Sequence, residues 1–215
     1  MYKKMSIFMK SIVVLLFLAF LATSVYAKGS QMTIDNLNKA LKGETNASYK
    51  YELFAKKADE ENYKQVAKLF RAVSIAESIH RNNHKAVILS LGGKPDIIKY
   101  DSIKVGTTKE NLKGPLKGEA YEKDVMYPNF IKQAKIDKLP DAVQSFSYAA
   151  KAETQHEKLF EDALKNLGKN KRVDYCVNRV SGATYAINTN SKCYSRKFGL
   201  VQEYIRVRWL NLILM

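Results

Sequence analysis

Glu77-Ser78-Ile79-His80 and Glu153-Thr154-Gln155-His156 are the two stretches that decide the fold. Residues three apart share one face of a helix, so each stretch can bring a carboxylate and an imidazole to a single point. The chain holds 3 histidines and 12 glutamates in 215 residues. A given histidine then has about a 6 % chance of a glutamate three positions before it, and two of three by accident about 1 %. Two more glutamates stand at matching distances upstream: Glu44 lies 33 residues before Glu77, and Glu119 lies 34 before Glu153. The chain therefore reads as a helix pair repeated twice, with Glu on the first helix of each repeat and Glu-x-x-His on the second. Glu122, one turn after Glu119, shares its face.

Around these residues the apolar pattern has a helical period. Leu37, Leu41, Ala47, Tyr51, Phe54 and Ala58 mark one helix from Thr33 to about Asp59, with Thr33 and Asp35 as candidate caps. A second runs from about Glu61 to Leu91 and stops at Gly92-Gly93. Residues 93–115 show no period, as expected of a crossover that travels the length of a bundle. A third helix is predicted over Leu116–Ile136 with a kink at Pro128, and a fourth from Pro140 to Leu167, ending at Gly168. Four helices with one long crossover predict an all-α four-helix bundle.

Glu77 falls on the face of Leu69, Phe70, Val73 and Ile88, and Glu153 on that of Ala142, Phe146, Ala149 and Phe160. A carboxylate facing a bundle core without compensation costs several kcal/mol or stays protonated. Five carboxylates there call for cations: two divalent ions, or two trivalent ions with a bridging oxide. Imidazole with carboxylate at such a bridged pair suits iron or manganese better than a structural zinc site. The alternative, surface glutamates and two ordinary core histidines, conflicts with this periodicity.

Composition narrows the function classes. Apolar residues make up 46 % of the chain, enough for a core, and 36 Lys+Arg against 21 Asp+Glu give +15. Only seven of the 36 are Arg and no basic stripe is interleaved with aromatics, so solvated lysine faces are expected rather than nucleic-acid binding. Two cysteines cannot build a disulfide framework or a four-thiolate metal site. At the N-terminus Lys3, Lys4 and Lys10 precede the apolar run Ile12–Ala22, followed by Val25-Tyr26-Ala27. This is the pattern of a secretory signal peptide over 1–27, cleaved after Ala27. An uncleaved anchor is the weaker reading, because 11 residues span about half of a hydrocarbon core. Export to a periplasmic or extracellular compartment, with no stable membrane anchor, is expected.

Glu44, Glu77-x-x-His80, Glu119-x-x-Glu122 and Glu153-x-x-His156 resemble the ligand set of rubrerythrins, members of the ferritin-like di-iron carboxylate proteins. The likeness covers about residues 33–167. It implies two iron ions held by Glu44, Glu77, His80, Glu119, Glu122, Glu153 and His156, with Glu122 and His80 exchanging on one iron as the oxidation state changes. It also gives roles to Tyr51 and Tyr127, seven and eight residues after Glu44 and Glu119, as hydrogen-bond donors to the bridging carboxylates. His84, one turn after His80 with no glutamate three before it, packs behind the ligands or lies at the surface.

Rubrerythrins typically end in a rubredoxin-like iron site built from two Cys-x-x-Cys pairs. After 28–168, residues 169–215 change to turn-and-strand composition, and Val180–Tyr185 through Cys193 resemble the stretch between those pairs. In that register the four sulfur positions hold Asn178, Ser181, Cys193 and Arg196, and one thiolate cannot hold the centre. Cys176 lies two residues out of register, and a Cys176–Cys193 disulfide is the other use of the pair. The apolar tail suggests divergence or a frameshifted end. The resemblance thus implies reduction of hydrogen peroxide to water in oxidative-stress defence, by a homodimer fed by an external electron donor, rubredoxin-like or another redox protein. The rival readings are a ferroxidase or iron-storage protein, and a metal-free remnant.

Overall fold

The computed structural model describes the backbone of residues 7–193, 195–197, 200–202 and 204–208, and side chains over 31–193 and 204–208. The first helix, α1 (Ile7–Glu60), continues unbroken through Thr33 and Asp35. These two are therefore not caps. Thr33 Oγ1 instead donates to Asp137 at 2.6 Å, tying α1 to the far end of the third helix. The expected signal segment lies at the start of the chain, where residues 1–6, and the side chains up to residue 30, are outside the described ones. Among the described residues no helix is long and apolar enough to cross a membrane.

After a tight turn, α2 (Lys64–Ser90) packs antiparallel on α1. It ends where Gly92 takes φ +75° and Gly93 N–H returns to the Ile88 carbonyl at 2.9 Å, an arrangement that satisfies the last carbonyls and favours glycine. The crossover runs along α1. Asn38 and Asn46 accept from the backbone N–H of Asp96 and Asp101 at 3.0 and 2.9 Å, and Tyr100 stacks on Tyr49.

The crossover is shorter than its composition suggests. Thr107 caps α3 (Thr108–Tyr121) in a reciprocal box with Glu110, and Glu61 accepts the Thr108 N–H at 2.8 Å. The third helix thus starts eight residues before Leu116, with Pro115 inside it. It is interrupted not by a simple kink at Pro128 but by a π turn, Glu122–Met126, before α4 (Tyr127–Ile136). A proline ring clashes with the carbonyl four residues back, here Asp124, and the wider π turn makes room for it. The fourth bundle helix, α5 (Pro140–Lys165), packs on α2, α3 and α4.

Two apolar clusters fill the bundle. One gathers Tyr51, Phe54, Phe70, Val73, Leu112 and Phe160, and the other Leu37, Leu41, Ile88, Tyr127 and Phe146. The polar centre lies between them, with one tyrosine from each.

Beyond the bundle, β1 (Asp174–Asn178) pairs antiparallel with β2 (Thr184–Ile187) and with β5 (Tyr204–Val207), while β3 (Ser195–Lys197) pairs with β4 (Leu200–Gln202). Cys176 and Cys193 are joined in a disulfide with Cα atoms 5.6 Å apart. The side chain of Arg196 and the tail over 209–215 are outside the described residues. The three-stranded sheet is fastened to α2: buried Lys68 donates to the Val173 carbonyl and to Asp174 at 2.8 and 2.9 Å, and Arg206 forks onto the same aspartate. The result is an all-α four-helix bundle with one long crossover and a small β appendage.

Candidate metal centre

Each bundle helix contributes carboxylates to the space between the apolar clusters, because the helical period that buries Leu69 and Phe146 also turns Glu77 and Glu153 inward. Glu44, Glu77, Glu119 and Glu153 are each at most 2 % exposed, and His80 and His156 are wholly buried. Their donor atoms form two groups, Glu44–Glu77–His80–Glu153 and Glu77–Glu119–Glu153–His156, each within 4.8 Å. The groups share Glu77 and Glu153, the pair that would bridge two cations.

The two halves repeat each other. His80 Nδ1 lies 2.9 Å from Glu77 and 3.5 Å from Glu153; His156 Nδ1 lies 2.9 Å from Glu153 and 3.2 Å from Glu77. Tyr51 donates to Glu119 and Tyr127 to Glu44, so each tyrosine crosses to the other repeat. The tyrosines were expected on the bridging carboxylates. They end instead on the two glutamates that belong to one group each, since the bridging pair is engaged by both imidazoles.

Both imidazoles are held from behind by the loop between β1 and β2. His80 Nε2 donates to the Ser181 carbonyl at 3.1 Å. Thr184 Oγ1 donates to the Gly182 carbonyl, so its oxygen accepts from His156 Nε2 at 3.3 Å. With Nε2 donating to these acceptors, each ring turns Nδ1 to the carboxylates at 2.9 Å, where it would give a metal its lone pair in exchange for the proton it shares with them. Gly182, at φ +70°, brings the loop so close that a Cβ there would sit 2.2 Å from His80 Nε2. Ser181, Gly182 and Thr184 were not anticipated as part of the centre. Nothing local in the sequence links Ser181 to His80, 101 residues away, or Thr184 to His156, 28 away.

Glu122 departs from expectation. It lies on the π turn, half-buried with its Oε1 toward Gly43 of α1, and belongs to neither four-residue group, whereas His80 does. His84 is wholly buried, with Nδ1 2.8 Å from Ser145 Oγ and Nε2 3.3 Å from Tyr127 Oη.

Charge crowding tests whether cations fit. Burial, then the adjacent Glu77, pushes Glu44 well above the ordinary carboxylate range, and burial with Glu77 and Glu119 does the same to Glu153. Burial and Glu119 raise Glu122 to about 8. Burial opposes the charge on Glu77 as well, but His156 and His80 overcome it and hold that carboxyl low. Glu44 Oε2, Glu119 Oε2 and Glu153 Oε1 are buried with no hydrogen-bond partner. Orphaned buried acceptors cost several kcal/mol unless something positive meets them. Oxygen-rich groups with one imidazole each fit two cations of the iron or manganese kind.

A family model for rubrerythrin matches residues 35–164. The chain belongs to the rubrerythrin family. It is 35 % identical to rubrerythrin-2 of Clostridium acetobutylicum over 150 residues, covering 66 % of this chain and 78 % of that one. To nigerythrin of Nitratidesulfovibrio vulgaris it is 36 % identical over 149 residues, 68 % of this chain and 71 % of that one. The fold superposes on fully reduced, all-ferrous nigerythrin with TM-score 0.68 at 31 % identity, covering 75 % of this chain and 80 % of the other. It also resembles a bacterioferritin of Rhodobacter capsulatus solved with a metal-free dinuclear site, with TM-score 0.58 at 26 % identity over 63 % of this chain and 84 % of that one.

Proposed function

We propose that this protein is exported and reduces hydrogen peroxide to water at a pair of iron ions, as a defence against oxidative stress. The observation that carries the reading is the fusion of two Glu/His groups through the shared carboxylates Glu77 and Glu153. Two ferrous ions bound there would supply the two electrons that reduction of the O–O bond needs. Glu44, Glu77, His80, Glu119, Glu153 and His156 would hold them. Tyr51 and Tyr127 fix the outer carboxylates, and the Ser181 carbonyl and Thr184 hydroxyl fix the rings.

Glu122 and His80 are the proposed exchanging pair. His80 stands in the Glu44 group while Glu122 waits beside it on the π turn, a segment in which the backbone can change register locally. Both cysteines are taken up by the disulfide, which supports loss of the rubredoxin-type iron site and an external electron donor, a rubredoxin-like or other redox protein. A homodimer is the proposed assembly.

The test is metal content with an optical spectrum on the mature chain, purified without oxygen and given one equivalent of peroxide. About two irons per chain and rapid growth of an oxo-bridged ferric band are expected. Zinc alone, or no iron, refutes the peroxidase reading; uptake of many irons per assembly favours the ferroxidase or storage alternative. The mass of the exported protein tests cleavage after Ala27.

A further inference from the structure

The turn that joins β1 to β2 folds around a single residue. Asn178, the last of β1, is buried. Its side-chain Oδ1 accepts from the backbone N–H groups of Val180 and Ser181 at 2.9 and 2.8 Å, and from Ser181 Oγ at 3.1 Å. An amide nitrogen could accept from none of the three, so it is the oxygen that faces them. The backbone of Asn178 closes the same turn. Its N–H donates to the Ala183 carbonyl at 2.9 Å, and its carbonyl accepts from Gly182 N–H at 3.0 Å.

These backbone bonds carry the order of the turn to both rings. A trans peptide is planar, with its N–H and C=O on opposite sides. The peptide between Ser181 and Gly182 has its N–H on the Asn178 carbonyl and its C=O on His80 Nε2. The peptide between Ala183 and Thr184 has its C=O on the Asn178 N–H and its N–H on Gln155 Oε1 at 2.8 Å. That second peptide sets Thr184, whose hydroxyl meets His156 Nε2. Asn83, three residues after His80 on α2, donates to the Val180 carbonyl at 2.8 Å and seats the turn on the helix that carries the ring. Closing an antiparallel pair takes as few as two residues, whereas residues 179–183 separate β1 from β2. The extra length reaches inward, where Gly182 meets His80.

We propose that Asn178 is a positioning residue of the metal centre. The turn folds on its side-chain oxygen, and through that turn His80 and His156 keep Nε2 engaged and Nδ1 toward the carboxylates. In the rubredoxin-like register Asn178 and Ser181 stand at two of the sulfur positions. A hydrogen-bonded turn here does without a metal what a metal-held one would do. The proposal rests on the reading of the two Glu/His groups as a site for two cations.

Zinc is the probe, with the full chain and no peroxide. In Asn178→Ala the Nε2–H protons of His80 and His156 should exchange with solvent at least about tenfold faster than in the parent, measured by NMR of the zinc-loaded protein. Zinc affinity should fall at least about tenfold. The amides of α2 and α5 should exchange at parental rates. Asn178→Asp, whose carboxylate still accepts from the same three donors, should restore both properties. Ring protons that exchange as slowly as the parent's overturn the proposal. So does a rise shared equally by the α2 and α5 amides, which would make Asn178 a support of the whole fold, and so does failure of Asn178→Asp to restore either property. Should Asn178→Ala not fold, Asn178→Ser, whose shorter hydroxyl falls short of the three donors, is read in the same way. If the parent binds no zinc, the reading of a metal site fails instead. Ring-proton exchange in the cation-free parent and variants then decides the role of Asn178 separately.

Discussion

Gly182→Ala is the sharpest probe of how the β appendage serves the centre. The added methyl would sit 2.2 Å from His80 Nε2, 2.8 Å from Cδ2 and 3.1 Å from Cε1, while the ring itself is packed on all sides. Reaching ordinary contact means lifting the loop by about 1 Å, which breaks the His80 Nε2–Ser181 bond and costs about 1 kcal/mol. Holding alanine at φ +70° adds about 1–2 kcal/mol. The sum is about 2–3 kcal/mol, a fall in Tm of roughly 4–12 °C for a domain of this size. With its Nε2 partner gone, His80 loses its fixed orientation, and cation affinity should drop about 10- to 100-fold. Thermal unfolding and competition with a chelator measure both effects. Gly118→Ala is the control: Gly118 is exposed in α3 with nothing within 4 Å of a Cβ, so the same substitution should stabilise by about 0.5–1 kcal/mol. If Gly182→Ala melts with the parent and binds cations as well, the loop does not seat on His80 and the argument fails.

Other outcomes follow from the same contacts. In chelator-treated protein, His156, which burial pulls down but Glu77 and Glu119 raise to about 10, and Glu122 at about 8 bind more protons folded than unfolded. Their stabilisation is complete below the unfolded values and is lost as pH rises through the folded ones. Tm should therefore fall from about pH 5 to 10, and cation affinity should rise over the same window; a Tm rising with pH contradicts this. The disulfide closes a loop of 17 residues, so Cys176→Ser with Cys193→Ser should cost about 3 kcal/mol while leaving helical circular dichroism intact. A reactive thiol in the folded, oxidised parent would count against it. Lys68→Met removes the Lys68–Asp174 ion pair, leaves the Arg206 pair in place, and should loosen the sheet from α2 by about 2–3 kcal/mol, read as faster amide exchange in β1 than in α5.

The sequence is most informative where the physics is local. Glu-x-x-His on an amphipathic helix is a relation between neighbours three residues apart, so the ligand set and the bundle are readable directly. The start of α3 was readable too, in Thr107-x-x-Glu110, but Gly114 and Pro115 obscured the period behind it. The π turn left a trace: one extra residue between Glu119 and Tyr127 relative to Glu44 and Tyr51, and the same extra residue in the spacing of 34 against 33. What no local pattern contains is which partner a buried group meets across the bundle. Tyr51 could be placed on the ligand face, yet its choice of Glu119 depends on helix crossing. The contact of Ser181 and Thr184 with the two rings depends on how the sheet docks.

The departures from internal symmetry all fall on one half. The frame is symmetric: two shared carboxylates, two crossed tyrosines, two rings held at Nε2. Glu122, His84 and Ser145 break it, and each lies beside the Glu44–His80 group. The Glu119–His156 group has Tyr51 sealed among phenylalanines, and Gln155 Oε1 pins the Thr184 backbone at 2.8 Å. A dry site and a site with a half-buried carboxylate beside it that belongs to neither group should not bind alike, because recruiting Glu122 from the π turn would cost conformational entropy that the other group does not lose. Stepwise cation titration of the chelated protein should therefore give two unequal affinities. Tyr51→Phe, which strips the hydrogen bond from Glu119, should weaken mainly the tighter step, and Tyr127→Phe mainly the weaker, each by about 10- to 100-fold. Equal steps in the parent, or both variants acting on the same step, would show that the two positions are interchangeable and that the asymmetry of sequence has no counterpart in binding.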